Sequence, residues 1–269
     1  MCPELFHIGP IPIRSYGIML AIAFFAGVIY LWYVSKRDEK PFEPFLAVAY
    51  IAIFGGVIGG RLAYVLFHLD EFSGHWSATF NPFAEGQFGI AGMNLYGGVL
   101  LAIIGIIAYC FWKKIPLLEM FDYFAPAYAL GLVFGRIGCF FNGCCFGTPS
   151  DLPWAIAFPA GSIPYSVFGS AHLHPSQLYT SLYGLGLFLL THYVLKHRLL
   201  PGVVASILLM AEAVFRVLIE SVRYYEEAMY LTIAGLRITY NHAIAAVLFL
   251  FGLGILVSQF RKHRNSHAT

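Results

Sequence analysis

Charge is what this sequence has least of. Asp, Glu, Lys and Arg make up 11% of its 269 residues, against 59% hydrophobic, whereas a soluble domain carries about 25% charged residues. No single aqueous core hides that much apolar surface, which excludes a soluble enzyme or binding module. A formal net charge of +2 identifies no partner, and no nucleic-acid module, Walker loop or dinucleotide fingerprint occurs. Cysteine is also scarce, and five in a chain of this length make no disulfide scaffold. The first apolar run lacks a basic start and a small-residue cleavage site, so it is expected to be a membrane span rather than a cleaved signal. Internal repeats, the usual clue to a transporter built from inverted halves, are missing as well.

What is present is a series of apolar runs. A span needs about 20 mainly apolar residues, and seven stretches qualify: 16–34, 45–67, 88–112, 115–135, 176–195, 202–222 and 240–260. The expected fold class is therefore all-α, a polytopic membrane protein with about seven transmembrane helices. It reads as a single membrane domain over 1–269 with an extracytoplasmic insertion at 137–175, which is rich in Pro and Gly and has a short strand near Trp154–Phe158. The connections alternate in charge. Lys36, Arg37 and Lys40 follow the first span, Lys113 and Lys114 the third, Lys196 and Arg198 the fifth, and Arg261, Lys262 and Arg264 the last. The stretches 68–87 and 137–175 hold no Lys or Arg. The positive-inside rule then predicts an outer N-terminus and a cytoplasmic C-terminus.

Four arginines fall within spans or at their ends: Arg61, Arg136, Arg216 and Arg223. With that orientation all four lie in the outer half. A charged side chain at a helix centre costs about 2.5–3.5 kcal/mol, so each needs a reason. Glu212, Arg216, Glu220 and Arg223 share one helix face, with the 4-residue spacing of internal ion pairs at 212–216 and 216–220. Even so, four arginines meet only two acids. The excess positive charge predicts an anion, and at this depth the available anion is a phospholipid phosphate, which arginine's planar fork binds well. Polar groups expected at the same depth are Tyr16, Asn94, Tyr96, His174, Ser176, Gln177 and Tyr179. A tyrosine at a span end is more often a belt residue and Gly97-Gly98 more often a packing contact. Gly55, Gly56, Gly59 and Gly60 form two interleaved small-xxx-small patterns, a sign of close helix contact.

Gly135 to Gly147, GRIGCFFNGCCFG, is the stretch no lipid-facing helix requires: an arginine, an asparagine, three cysteines and four glycines in thirteen residues. Cys139 could pair with Cys144 or Cys145, or all three could remain thiols. Zinc is not expected, because Cys144 and Cys145 are adjacent and no paired His accompanies them. Cys110 reads as an apolar filler and Cys2 as a free thiol. No metal or cofactor is expected.

With these residues in view, the chain resembles the prolipoprotein diacylglyceryl transferases, membrane enzymes of the bacterial cytoplasmic membrane. GRIGCFFNGCCFG stands against a family pattern of Gly-Arg-x-Gly, an Asn-Phe pair, Asn-Gly, an acid and a closing Gly. Tyr16-Gly17, Gly60-Arg61 with Tyr64, Gly97-Gly98, His174-Pro175-Ser176-Gln177-Leu178-Tyr179 and Arg216-x-x-x-Glu220-x-x-Arg223 complete the ordered match. The resemblance implies transfer of the diacylglyceryl group of phosphatidylglycerol to the lipobox cysteine of a preprolipoprotein, the first step of lipoprotein biosynthesis, with release of glycerol phosphate. It implies catalytic roles for Arg136, Arg216, Tyr96, His174 and Glu220, and substrate binding by Tyr16, Arg61, Asn142, Gly147, Gln177 and Arg223. The implied location is the inner membrane, with the active site toward the outer leaflet. The chain departs from the pattern where Tyr96 replaces His, Cys139 replaces Asn, Cys144 replaces Glu, and Asn241-His242 replaces Gly-Gln. With Tyr96 a poor base at neutral pH, the proton acceptor is left among His174, Glu220 and the donor phosphate. The other readings are a divergent member with another acceptor, an anionic-lipid transporter and a non-catalytic scaffold.

Overall fold

Apolar composition and backbone hydrogen bonding together dictate the architecture: in lipid every N–H and C=O must be satisfied within the segment, and helices do this. The computed structural model describes residues 4–9, 11–72, 79, 92–197, 200–225, 230–233 and 236–266. In chain order these form β1 (Glu4–Ile8), β2 (Ile11–Arg14), α1 (Ser15–Arg37), α2 (Glu43–Phe67), the single turn α3 (Leu69–Phe72), α4 (Leu95–Lys113) and α5 (Leu117–Asn142). There follow β3 (Ile156–Ala157), α6 (Ile163–Phe168), β4 (His172–Leu173), α7 (Ser176–His197), α8 (Val203–Glu220), β5 (Tyr230–Ile233), β6 (Leu236–Thr239) and α9 (Tyr240–Ser266). The strands make three two-stranded sheets, β1 with β2, β3 with β4 and β5 with β6. The expected strand near Trp154–Phe158 is β3, paired antiparallel with β4.

The protein is an all-α, polytopic membrane protein. Six helices, α1, α2, α4, α5, α7 and α9, are long and apolar enough to cross a membrane. The sixth expected span is the 18-residue α8, which carries three charged residues: Glu212, Arg216 and Glu220. Two expected boundaries shift. The helix expected from Phe88 begins at Leu95 as α4, with 80–91 outside the described residues. There the Asn94 side chain accepts from the backbone N–H of Tyr96 at 3.0 Å and of Gly97 at 3.2 Å, a helix N-cap. The helix expected to end at Gly135 continues to Asn142 as α5, passing through Pro126. Cys139 therefore stands on a helix, not in the expected 137–175 insertion, and Arg136 lies inside the helix rather than at its end. The expectations for Cys2 and Arg198 lie outside the described residues.

The chain divides into two compact units. In the unit formed by Leu5–Ile13 and Val28–Met120, α2 packs on α4. The contact is built from the small residues noted in the sequence. A Cβ on Gly59 would lie 2.5 Å from the carbonyl oxygen of Gly97, and one on Gly98 would lie 2.6 Å from that of Gly56. Gly97-Gly98 is thus a packing contact between backbones. At the end of this unit Lys40 and Glu119 form an ion pair at 2.5 Å.

In the unit formed by Met1–Glu4, Arg14–Gly27 and Phe121–Thr269, α8 packs on α7 and α9. Asp122, buried in α5, caps the start of α8: its carboxylate accepts from Gly202 N at 2.6 Å and Ala205 N at 2.8 Å. A carboxylate there both satisfies free N–H groups and suits the helix dipole. Around β3, α6 and β4, the buried Phe146, Phe158 and Leu173 form an aromatic cluster with Phe140, Phe168 and Tyr224 packed against it. This cluster anchors the segment that follows α5.

Candidate active site around the turn after helix α5

The geometry begins with how α5 ends. Gly143 takes φ +76°, a left-handed conformation that glycine adopts without a Cβ clash. Its N–H bonds to Phe140 O at 3.3 Å, and the N–H of Cys144 bonds to Cys139 O at 3.1 Å. This 5→2 and 6→1 pair is the Schellman termination. Its consequence is chemical. The chain reverses so that Cys144 folds back over Cys139, and the Cys144 thiol lies 3.7 Å from the Cys139 carbonyl oxygen. Cys145 is also left-handed, at φ +61°, a conformation uncommon for a residue with a side chain.

The turn is held from α7. Ser176 Oγ donates to Cys145 O at 2.7 Å, and Gln177 Nε2 donates to Cys144 O at 2.8 Å. Both side chains are fully buried. Gln177 therefore fixes the turn through its amide nitrogen, while its Oε1 is buried without a hydrogen-bond partner. Next along the chain, Gly147 is threaded between two backbones: its N–H bonds to His174 O at 3.0 Å, and it forms an antiparallel bridge with Arg223. A Cβ there would meet His174 O and Val222 O, each at 2.6 Å. Gly147 is therefore needed for close approach.

The result is that Cys139, Cys144 and Cys145 converge, with their Sγ atoms all within 4.8 Å of one another. The structure places them as three separate thiols. Hydrogen bonds from Cys139 and Cys144 lower the Cys145 thiol well below its ordinary range, and the Arg223 and Arg136 guanidiniums lower it further. Asn142 reaches the Cys144 thiol. Tyr16, in the first turn of α1, lies against Gly138: its ring is 3.1 Å from where a Cβ would stand.

The four arginines differ in what they already hold. Arg136, one turn before Cys139 on α5, makes no side-chain hydrogen bond or ion pair among the described residues, and its charge faces Cys145, Cys139, Tyr128 and Glu212. Arg223 lies over the Tyr225 ring at 5.0 Å, and its Nε is buried without a hydrogen-bond partner. Arg216, by contrast, is engaged. Its Nε is 3.2 Å from Glu220 Oε1, and its Nη2 donates to the Tyr225 hydroxyl at 3.0 Å. The Tyr225 hydroxyl donates to Glu220 Oε1 at 2.7 Å, and Thr239 Oγ1 donates to Glu220 Oε2 at 2.8 Å. Asn241 Nδ2 donates to Tyr225 at 3.2 Å, and His242 Nδ1 is 3.0 Å from the Thr239 hydroxyl. Burial pushes the Tyr225 phenol up, which keeps it a donor.

Of the two ion pairs expected along α8, Arg216–Glu220 forms. At Glu212 the Oε1 is buried without a hydrogen-bond partner. The reason is that Tyr225 and Thr239 hold Glu220 from outside the helix, which draws Arg216 toward the C-terminal end. Sequence reasoning missed this part of the network. Tyr225 lies in a short irregular stretch after α8 and Thr239 closes the four-residue β6, with no periodicity to mark either, and Asn241 stands out in the sequence only as a departure from a pattern.

His174 lies at the edge of the same unit. Its Nδ1 is 3.3 Å from the Tyr179 hydroxyl, which accepts from Trp154 Nε1 at 2.8 Å. With Leu218 and Val222 these residues line an apolar groove of 460 Å³. Two expected site residues belong to the other unit. Arg61 is buried, donates to Thr79 O at 2.5 Å and Gly92 O at 3.1 Å, and lies over the rings of Phe72 and Tyr64. Tyr96, in the first turn of α4, is 57% exposed, and its backbone takes part in the Asn94 cap.

Comparison with known proteins identifies the family. Residues 3–258 match the family described as prolipoprotein diacylglyceryl transferase. A phosphatidylglycerol–prolipoprotein diacylglyceryl transferase of Pseudoalteromonas translucida is 31% identical over 97% of this chain and 93% of its own. The enzymes of that name from Aliivibrio salmonicida and Agrobacterium fabrum are each 33% identical, covering 99% and 93% of this chain and 90% and 89% of their own. The chain belongs to the prolipoprotein diacylglyceryl transferase family.

Proposed function

We propose that this protein transfers the diacylglyceryl group of phosphatidylglycerol to the lipobox cysteine thiol of a preprolipoprotein, forming a thioether and releasing glycerol phosphate. The observation that carries the reading is the pair of uncommitted guanidiniums, Arg136 and Arg223, beside the turn that bears the family signature. The broken bond joins an sp3 carbon to a phosphate oxygen, so negative charge grows on the leaving phosphate. Arginines held ready and not already paired stabilise that charge without reorganisation. Arg136 and Arg223 bind the phosphate. Arg216 keeps one terminal nitrogen for it while Glu220, Tyr225 and Thr239 hold the rest of the side chain in place.

Tyr16, Asn142, Gly147 and Gln177 shape the turn around the bound headgroup. His174 stands beside an apolar groove, on the acceptor or acyl side of the reaction. Arg61 and Tyr96 serve the other unit, Arg61 by tying α2 to the chain at Thr79 and Gly92. The alternation of basic and uncharged connections supports a bacterial inner-membrane location with the C-terminus in the cytoplasm and the phosphate site at the outer leaflet.

The experiment is direct. Purified protein is incubated with phosphatidylglycerol and a peptide containing a lipobox cysteine, and the peptide mass is measured. The expected result is a gain equal to one diacylglyceryl group, absent when the peptide cysteine is replaced by Ser. No gain, beside a working relative in the same assay, overturns the reading.

A further inference from the structure

The transfer needs its acceptor as a thiolate, and a free thiol with a pKa near 8.5 is mostly protonated at neutral pH. We propose that Cys139, Cys144 and Cys145 form an open three-thiolate zinc site whose fourth position takes the acceptor cysteine. This inference rests on the transferase reading.

Four observations meet at these residues. The three sulfurs lie within 4.8 Å of one another as separate thiols. Tetrahedral zinc with Zn–S bonds of about 2.3 Å puts sulfurs about 3.8 Å apart, a closure of about 1 Å that small side-chain rotations supply. Second, the backbone is set in advance. The Schellman turn folds Cys144 onto Cys139, and buried Ser176 and Gln177 fix the carbonyls of Cys145 and Cys144. Cys145 is kept at φ +61°, and backbone strain of this kind gathers at functional sites. Third, the count is that of a working metal site: three protein ligands and one open position mark catalytic zinc, whereas structural zinc is closed by four. Fourth, Arg136 and Arg223 both act on Cys145, so the anionic zinc–thiolate group stands beside the two cations that take the leaving phosphate. The sequence alone argued against zinc, because Cys144 and Cys145 are adjacent and lack paired histidines. Folding supplies the third ligand from α5.

The chemistry follows. The acceptor S–H loses its proton on binding zinc, because a coordinated thiol is deprotonated. The sulfur then attacks the sp3 carbon of the diacylglyceryl group that bears the phosphate ester. The C–S bond forms as the C–O bond breaks, and the electron pair of that bond goes to the phosphate oxygen between the two arginines. The proton released at binding ends on the glycerol phosphate or in water. The product thioether is neutral and a weaker ligand, so it leaves. Zinc is neither oxidised nor reduced.

The test uses the whole protein in detergent, stripped with a chelator, then loaded with zinc or with cobalt as a spectroscopic stand-in. The expected results are one tightly bound zinc per chain and a sulfur-to-cobalt charge-transfer band. Cys139→Ser, Cys144→Ser or Cys145→Ser weakens binding by more than about 10-fold, since loss of an outer-shell partner alone costs about 10–100-fold, with thermal unfolding in chelator used to verify that each variant is folded. Cys110→Ser, in α4 and apart from the cluster, leaves binding unchanged. A lipobox peptide shifts the cobalt band, and the same peptide with Ser in place of Cys does not. Zinc content no higher in the wild-type protein than in the triple Ser variant overturns the proposal, as does a cobalt band indifferent to the acceptor thiol. Full transfer by the stripped protein in chelator also overturns it while leaving the transferase reading intact. No transfer by stripped or zinc-loaded protein overturns that reading instead, whatever the metal titration gives.

Discussion

Arg61 and Arg136 both sit on long apolar helices, each directly after a glycine, Gly60 and Gly135, yet their surroundings are opposite. Arg61 is buried and gives its hydrogen bonds to the carbonyls of Thr79 and Gly92, with its face against Phe72 and Tyr64. Around it the polar ends are matched, as with Asn94, which caps α4. Arg136 makes no hydrogen bond or ion pair among the described residues. Near it, Arg223 Nε, Gln177 Oε1 and Glu212 Oε1 are buried without hydrogen-bond partners. Buried polar groups are nearly always satisfied, and an unmatched one costs about 1–3 kcal/mol. A cluster of them is therefore stable only if something polar completes it. The difference separates an arginine that builds the fold from one that waits for a ligand, although both read alike as charges in a hydrophobic run.

That contrast is open to attack by substitution. The largest effect is expected at Arg136. Arg136→Ala should lower the transfer rate by at least about 100-fold, with little change in thermal stability because no existing bond is lost; the peptide mass assay and a detergent melt read the two quantities. Arg223→Ala should follow in the same direction by about 100-fold. Arg223→Lys should recover only part of the rate, because an ammonium lacks the planar fork; equal rates for Arg and Lys would reduce the site to a point charge. At Arg61 the pattern should invert. Arg61→Ala should cost about 1–3 kcal/mol of stability while transfer per folded molecule changes by less than about tenfold, measured by melting and by turnover normalised to folded protein. Smallest is Asn94→Ala, a lost helix cap worth about 1 kcal/mol, seen as a lower melting temperature with unchanged turnover.

Much of this was legible in the sequence, for physical reasons. Long apolar runs leave a membrane chain few alternatives to helices, so the expected spans lie within a few residues of α1, α2, α7, α8 and α9. Gly55 to Gly60 announced a close helix contact, and α2 meets Gly97 and Gly98 there. The end of α5 was not legible. Ile137 to Asn142 look like a loop by composition, but the helix persists until Gly143 can take a positive φ. The convergence of three cysteines depends on that one turn, and spacing alone gives no sign of it. Nor did spacing decide between the two ion pairs available to Arg216. Tyr225 and Thr239, from outside the helix, decided in favour of Glu220.

The claim that unpaired arginines at the end of α5 hold a donor phosphate is tested most directly by comparing wild type and Arg136→Ala in one assay. Equal amounts of folded protein are given phosphatidylglycerol and a lipobox peptide, and the peptide is weighed. The expected result is a mass gain of one diacylglyceryl group with wild type and none with Arg136→Ala. Full modification by Arg136→Ala would contradict it.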